Sequence, residues 1–482
     1  MTTSENVLRP TPIYSGIKDD TFCNPTKTRN YNAQFNKIYT HRTNELKSRV
    51  MKMANPKWSG VEVNGMKPKF VPKVLDVPSL KPVYIIGTTL ADMKFKPDVL
   101  KEVELSVQGH FTELKELVND AGGSNKDFSD LRQSSYSDPE TDKIWLEDES
   151  GRILLTGDVL TKKIIVTGLV VAVLGMEIES GIFHVVDIVY PEPAPQRDIN
   201  LSENTAGKLL LTGGLNISDK SKFDYLEILK SWIFGEFDDE KAKYVAEMMI
   251  VGNSLDITSN DVKMKSEKNK YAESFNMNYS ERPTKYLDTY ISELLQSIPI
   301  SVLPGPRDIV ELGLPKQPLH HSLFPISSKL QNFKRLTEPS FYDINGLRIL
   351  VSSGEPVNDI MKYIIPNLKS EGDLKDCLFK DSRLRIIEDM LLWQVIAPTA
   401  PDTLWCYPFE NTDPFTLKET PHVYIVGNQP RFETSVVELQ RKNGDVVSIR
   451  VIALPDFDDT KSVVLLDLQS LSCEIVAFEC TA

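Results

Sequence analysis

The chain has 482 residues, long enough for two domains, and its 41% hydrophobic content supplies material for more than one core. A net charge of -13 argues against nucleic acid as the main direct partner, because a chain that neutralises many phosphates by itself is usually basic. Five cysteines without any CxxC spacing exclude a disulfide framework and a cysteine zinc site and suit a reducing compartment, while the longest apolar stretch, near Ile164–Leu174, is too short to span a bilayer.

Residues 1–30 are polar and turn-rich, and they are expected to be a flexible segment, loose or pinned to a neighbour. The first 100 residues carry 16 Lys and Arg against 8 Asp and Glu, so they are basic while the remainder is strongly acidic. The opening residues show no basic and apolar signal-peptide pattern. A helix is predicted from Phe35 to Met53, with Phe35, Ile38, Tyr39, Leu46 and Val50 on one rough stripe. Short β-type runs follow at Val61–Val63, Phe70–Val77 and Val83–Leu90. A polar insertion, 119–143, reads as a long loop. Ile144–Leu146 and Arg152–Thr156 flank a Gly-containing turn and predict a hairpin; Lys163–Leu174 and Gly181–Tyr190 predict two more strands. Several short strands with one helix suggest an OB-type barrel over 31–195. Pro191-Glu-Pro-Ala-Pro195 reads as a stiff linker closing it.

Residues 200–482 change style. Lys208–Thr212 and Glu247–Val251 are continuous apolar runs, as in strands buried on both faces. Ser221–Phe234 carries Phe223, Leu226, Leu229 and Ile233 at helical spacing and ends at Gly235. A polar insertion covers 256–283. Thr284–Ile298 is predicted helical, Ile300–Leu303 and Leu347–Val351 extended. Asp381 is placed to cap a helix running to Val395. Strands are predicted at Val423–Val426, Thr434–Leu439, Val446–Ile452, Val463–Asp467 and Cys473–Phe478. The pattern is α/β with two layered sheets, beside an N-terminal all-β barrel.

Four of these strands end in glycine turns: Gly213-Gly214-Leu215-Asn216, Gly252-Asn253-Ser254-Leu255-Asp256, Gly305-Pro306-Arg307-Asp308 and Gly427-Asn428-Gln429-Pro430. Ligand sites in open α/β sheets collect at such carboxyl ends. In order and place the turns resemble those of the calcineurin-like metallophosphoesterases, which hold two divalent metals through Asp, Asn and His. By that resemblance the first Asp falls on Gly214 and its His on Asn216. The bridging Asp falls on Asn253, and the second Asp of that turn survives as Asp256. The ligand Asn falls on Pro306, the catalytic His on Arg307, followed by Asp308. The last two His fall on Asn428 and Pro430, and no His occurs between His321 and His422. The ligand positions thus hold neither His nor carboxylate, and neutral amides do not offset two adjacent dications. The expectation is a scaffold with an erased site, without catalytic residues, metal or cofactor.

Longer stretches are more specific. Leu146-Glu-Asp-Glu-Ser-Gly-Arg-Ile-Leu-Leu155, Gly175-Met-Glu-Ile-Glu-Ser-Gly-Ile-Phe183, Pro315-Lys-Gln-Pro-Leu-His320, Ala397–Pro408 and Pro421–Phe432 resemble the small B-subunit family of DNA polymerase delta. That resemblance implies an OB-fold joined to an inactivated phosphoesterase domain in the nucleus. It also implies binding to the metal-bearing C-terminal domain of the catalytic subunit and to the next accessory subunit. Contact with the sliding clamp would be indirect, and members of the family are also shared with polymerase zeta. The rival readings are an active divalent-metal phosphodiesterase or nuclease and a single-stranded-DNA-binding OB protein.

Other residues read more plainly. Trp405, Tyr407 and Phe409 alternate, so on a strand they share one face, either buried or offered to a partner. His320-His321 reads as polar surface or a capped turn. Asp148, Glu149, Asp158, Glu177 and Glu179 read as turn carboxylates. Lys94-Phe95-Lys96 is one short basic-aromatic run of the kind that binds single strands. Ser254, Ser352 and Ser353 lack a nucleophile elbow.

Overall fold

The computed structural model describes residues 9–14, 19–97, 135–138, 140–199, 207–237, 239–256, 281–364 and 383–479. Most of both long insertions and the predicted cap Asp381 lie outside these residues.

Helix α1, Asn36–Trp58, buries Ile38, Arg42, Leu46, Val50, Ala54 and Trp58, a strict four-residue repeat. At 3.6 residues per turn such a repeat drifts by about 40° at each step. The buried stripe therefore winds around the helix, and α1 is covered from different sides along its length. The helix runs five residues past its predicted end.

The first sheet contains β1 (Lys69–Phe70), β2 (Val83–Asp92), β3 (Lys143–Glu147), β4 (Arg152–Thr156), β5 (Val170–Glu179) and β6 (Ile182–Val189). Its order is β1-β2-β3-β4-β6-β5, and pairing of β2 with β5 closes the barrel. The predicted hairpin is β3–β4. Three expected runs shrink. Val61–Val63 is reduced to one bridge, Val63 with Met66, and Phe70–Val77 becomes the end of β1 followed by a 3-10 turn. Residues 163–169 form a buried turn instead of a strand. Gly168, at φ +91, sits so close to the second part that a Cβ there would lie 2.1 Å from Pro398 O.

Two further sheets face each other. One has the order β10-β9-β8-β7-β16-β17, built from β7 (Lys208–Thr212), β8 (Val245–Val251), β9 (Ile300–Leu303), β10 (Phe333–Arg335), β16 (Ser462–Asp467) and β17 (Cys473–Ala477). The other has the order β11-β12-β13-β15-β14, built from β11 (Ser340–Ile344), β12 (Leu347–Ser352), β13 (Val423–Gln429), β14 (Glu433–Gln440) and β15 (Val446–Pro455). Alternation explains the continuous apolar runs. Leu209, Leu211, Met249 and Val251 point into the inter-sheet core with Ile349, Val351, Val423 and Ile425. Leu210, Met248 and Ile250 point outward, under α2 (Asp224–Phe234) and α3 (Arg282–Leu294). Leu350, Tyr424 and Val426 point the opposite way, under α4 (Glu355–Ile364) and α5 (Arg383–Trp393). The result is four layers, helices–sheet–sheet–helices. α4, β10 and β11 are elements that the sequence patterns did not signal.

The barrel and the layered part share one continuous core, which runs from Leu46 and Val173 through Ile386 and Met390 to Val451. Residues 191–194 of the expected linker are buried. Arg49 Nε donates to Glu192 O at 2.8 Å, Ala194 N donates to Gln394 Oε1 at 2.8 Å, and Thr420 Oγ1 donates to Ala194 O at 2.7 Å.

The described part of the N-terminal segment is held against the layered part. Arg9 donates to Ala242 O at 2.9 Å, Tyr14 bridges Ile344, Phe22 stacks on Phe341 at 5.7 Å, and Arg29 pairs with Glu311.

Candidate functional site

The four glycine turns converge where β7, β8, β9 and β13 end. Two of them zip together: Gly214 N donates to Gly252 O at 3.1 Å and Asn216 N to Asn253 O at 3.0 Å. Asn428 lies across them, its Nδ2 donating to Ser353 O at 2.8 Å and Val251 O at 3.2 Å. A Cβ on Gly252 would come within 2.9 Å of that same Nδ2, and one on Gly305 within 2.4 Å of Asn253 Oδ1. Side chains larger than hydrogen do not fit where these turns press together.

The three asparagines have a backbone reason as well as a chemical one. Asn216, Asn253 and Asn428 take φ of 46°, 51° and 54°. Among non-glycine residues Asn is one of the few that occupies this left-handed region readily.

The carboxylates here are spoken for. Asp308 accepts from Leu255 N and Gly305 N, both at 2.7 Å. Burial nonetheless pushes its carboxyl up to about 6 against the pull of those amides. Asn253 Oδ1 accepts from Arg307 N at 3.1 Å, and the Arg307 side chain stands 3.9 Å from Asp256 at the half-buried rim. Pro306 is buried, whereas Pro430 is exposed just past the end of β13.

Sequence reasoning missed Asp456. It follows β15, is fully buried and caps the helical turn Phe457–Thr460 through Asp458 N at 3.0 Å. Both its oxygens accept from Asn216 Nδ2, at 2.9 and 3.1 Å. A Cβ on Gly214 would lie 2.2 Å from Asp456 Oδ2, so Asp456 fills the room that a side chain at 214 needs. The available signal was local: an Asp directly after an apolar run and ahead of Phe457-Asp458-Asp459 is an N-cap pattern. Gly214→Ala is expected to destabilise the chain by about 2–4 kcal/mol, from the left-handed backbone (φ +62) plus the clash. Urea unfolding checks this, and an unchanged midpoint would refute it. Among the described residues, no group of three or more His, Cys, Asp and Glu side chains is placed to hold a metal ion.

The remaining candidates lie apart. The Trp405–Phe409 run is extended but is not a ladder strand: Cys406 alone bridges Leu314, and Pro408 offers no N–H. Its aromatics are half-buried. Tyr407 OH donates to Asn30 O at 2.8 Å, and its ring meets Tyr31 at 5.3 Å and Phe409 at 5.0 Å. His320 caps a 3-10 turn, accepting from Ser322 N. Asp148 takes the amides of Val74 and Ser150, and Glu177 that of Gly181. Lys94 pairs with Asp138 at 2.7 Å and Lys96 with Asp402, so the basic-aromatic run is neutralised by its own chain. Ser352 Oγ donates to Glu338 at 2.8 Å.

Residues 34–188 match the family described as the DNA polymerase delta subunit OB-fold domain, and residues 209–434 match the DNA polymerase alpha/epsilon B-subunit family. The chain is 37% identical over 481 residues to the DNA polymerase delta small subunit of Saccharomyces cerevisiae, covering 94% of this chain and 91% of the relative. It is 32% identical to the small subunit of Arabidopsis thaliana over 92% and 91% of the two chains. Against the DNA polymerase delta subunit 2 of Drosophila melanogaster it is 29% identical over 95% and 96%. The fold is therefore mixed α/β with several sheets and an OB-fold domain, and the chain belongs to the family of DNA polymerase delta small subunits.

Proposed function

We propose that the chain is a non-catalytic accessory subunit of DNA polymerase delta that works in the nucleus as a scaffold. One face would hold the metal-bearing C-terminal domain of the catalytic subunit, another the next accessory subunit, with the sliding clamp reached indirectly. The same surface would allow sharing with polymerase zeta. The chain divides into an N-terminal segment (1–30) whose described residues pack on the layered part, an OB-fold (31–195) and a calcineurin-like phosphoesterase domain (200–482) whose metal site has been erased. Kinship along almost the whole length of both chains carries the reading. The four-layer architecture, with the glycine turns gathered at the strands' carboxyl ends, supports the phosphoesterase part. Neutral amides, one glycine and two prolines at the matched ligand positions, and Asp456 in the first ligand's room, support the loss of activity.

Stable interfaces are anchored by aromatic side chains set in an apolar patch. Beside Tyr407 and Phe409, the outward-facing member is Tyr31, 66% exposed, whose ring meets Tyr407 edge-on. It extends the same aromatic patch and is its available anchor.

The test is co-expression with the polymerase delta catalytic subunit. A stoichiometric complex that depends on this chain is expected, and Tyr31→Ala should weaken it about tenfold. A complex that assembles equally well without the chain would refute the scaffold role. Manganese-dependent hydrolysis of an aryl phosphodiester by the clean chain would refute the erased site.

A further inference from the structure

The segment that joins β1 to β2 crosses one end of the barrel. Val74 N donates to Asp148 Oδ2 at 2.8 Å and Leu75 N to Ser150 Oγ at 3.3 Å, in the turn between β3 and β4. Leu80 N donates to Glu177 O at 2.9 Å, near the end of β5. The two turns it crosses are neighbours, because Leu154 N of β4 donates to Gly181 O, between β5 and β6, at 2.9 Å. On this end Leu75 is 70% exposed, Leu80 66% and Ile178 46%. Single exposed leucines are ordinary, but large apolar side chains gathered in one place mark a surface that another molecule covers.

The backbone of Leu80 is a second, independent observation. It takes φ +57, in the left-handed region that a bulky side chain seldom occupies. Leu471, at φ +56, packs against the inter-sheet core, so burial offsets the strain there. Leu80 gains no such burial. Asparagine would hold the same turn with less strain, as Asn64 does at φ +51. A strained, exposed leucine is accounted for by what it touches outside the chain.

The same segment is basic. From Met66 to Lys81, Lys67, Lys69, Lys73 and Lys81 stand against one carboxylate, Asp76. All four lysines are exposed, and among the described residues none of them pairs with a carboxylate, unlike Lys94 and Lys96. Lys69 lies opposite Val83 in the parallel pairing of β1 with β2, and its N donates to Pro82 O at 3.4 Å, which sets it beside Lys81. The carboxylates that hold the segment are occupied: Asp148 by Val74 and Ser150, Glu177 by Ser79 and Gly181.

Aliphatic and cationic groups side by side select the partner. Single-stranded nucleic acid is gripped by aromatic faces set among cations. Here the aromatics Phe70 and Tyr84 meet each other at 5.5 Å, and Tyr84 meets Trp58 at 5.3 Å. Leucine and isoleucine instead fit the aliphatic side chains of a protein, and lysines without partners fit its carboxylates. We propose that this end of the barrel, through Leu75, Leu80, Ile178, Lys69, Lys73 and Lys81, docks an acidic protein segment that carries aliphatic side chains. The surface lies by the C-terminal end of α1, where Trp58 meets Tyr84, whereas Tyr31 precedes the other end. The two ends of α1 are about 33 Å apart, so this is a surface separate from the aromatic patch at Tyr407.

Fluorescence anisotropy of a labelled peptide of Glu, Asp, Leu and Ile, titrated with the full chain, tests the proposal. Saturable binding is expected, weakened about tenfold by Leu80→Asn and by Lys69→Glu with Lys81→Glu, and lost when Ser replaces the Leu and Ile of the peptide. Leu80→Asn suits the left-handed backbone, so its Tm should equal or exceed that of the natural chain. A lower Tm would show that the leucine serves the fold, which overturns the proposal, as does a peptide that fails to bind. A thymidine oligonucleotide that binds more tightly than the peptide and is indifferent to Leu80→Asn overturns it in favour of nucleic acid. Self-association of the natural chain in sedimentation, lost in Leu80→Asn, overturns it in favour of a second copy.

Discussion

Replacing Arg42 with alanine is expected to destabilise the chain by about 3–5 kcal/mol, the usual cost of leaving a buried charge without its partner. Arg42 is fully buried in the first half of α1. Its Nε pairs with Asp413 at 2.6 Å, and its other nitrogens donate to Gly168 O at 3.2 Å, Pro398 O at 2.8 Å and Ala400 O at 3.2 Å. These acceptors come from the barrel turn on one side and the 398–413 segment on the other, so one planar guanidinium joins the two parts of the molecule. Alanine leaves the Asp413 carboxylate buried, although Phe415 N and Thr416 Oγ1 still donate to it at 3.0 Å each. Arg42→Lys should recover little, because a single ammonium lacks the fork that reaches four acceptors. The urea midpoint of the full chain is the measurement. A loss under about 1 kcal/mol, the range of exposed pairs, would show that the hub carries little of the fold.

Glu338→Gln is expected to stabilise the chain in alkali by about 2–4 kcal/mol at pH 9. Glu338 is fully buried, and burial pushes its carboxyl up to about 8. Ser353 and Ser352 pull the value down, while Glu355 nearby pushes it further up. The folded chain therefore holds this proton to a higher pH than the unfolded chain, whose glutamates titrate near about 4.3. The group's stabilising contribution is fully present below that lower value and is lost as pH rises through about 8. Glutamine keeps the acceptor for Ser352 Oγ, 2.8 Å from Glu338 Oε1, and carries no charge to bury. Unfolding of the natural chain should become easier as pH rises from about 4.3 to about 8, and the variant should flatten that fall. Asp308, raised to about 6, accounts for loss of the same sign at lower pH. An unchanged pH slope in the glutamine variant would refute the assignment.

Much of this molecule was legible in one dimension because the relevant physics is local. The period of two in Leu209–Leu211 and the helical spacing of Leu226, Leu229 and Ile233 are consequences of backbone geometry. So is the stop at Gly235, which takes φ +84. The glycine turns announce their positions because positive φ, as at Gly214 and Gly252, or close approach, as at Gly305, restricts residue choice at single sites. Short or atypical elements escaped. Phe333–Arg335 is three residues long, and α4 opens with Glu355-Pro356 and buries Asn358, Asp359 and Lys362, which masks its apolar face.

By itself, then, the sequence determined the alternation of elements, the order of the turns and the absence of His and carboxylate at positions 214, 216, 253, 306, 428 and 430. It also carried the family likeness, which lies in runs of consecutive residues. Only the tertiary structure decided what covers what. It wedged α1 between barrel and sandwich, buried residues 191–194, laid Tyr31 against Tyr407 and turned Asp456 into the space beside Gly214. The reason is distance along the chain. Arg42 and Asp413 are 371 residues apart, and Asn216 and Asp456 240. A contact made across such a separation imposes no period or spacing on the residues around either partner, so it leaves no mark that a single sequence can show.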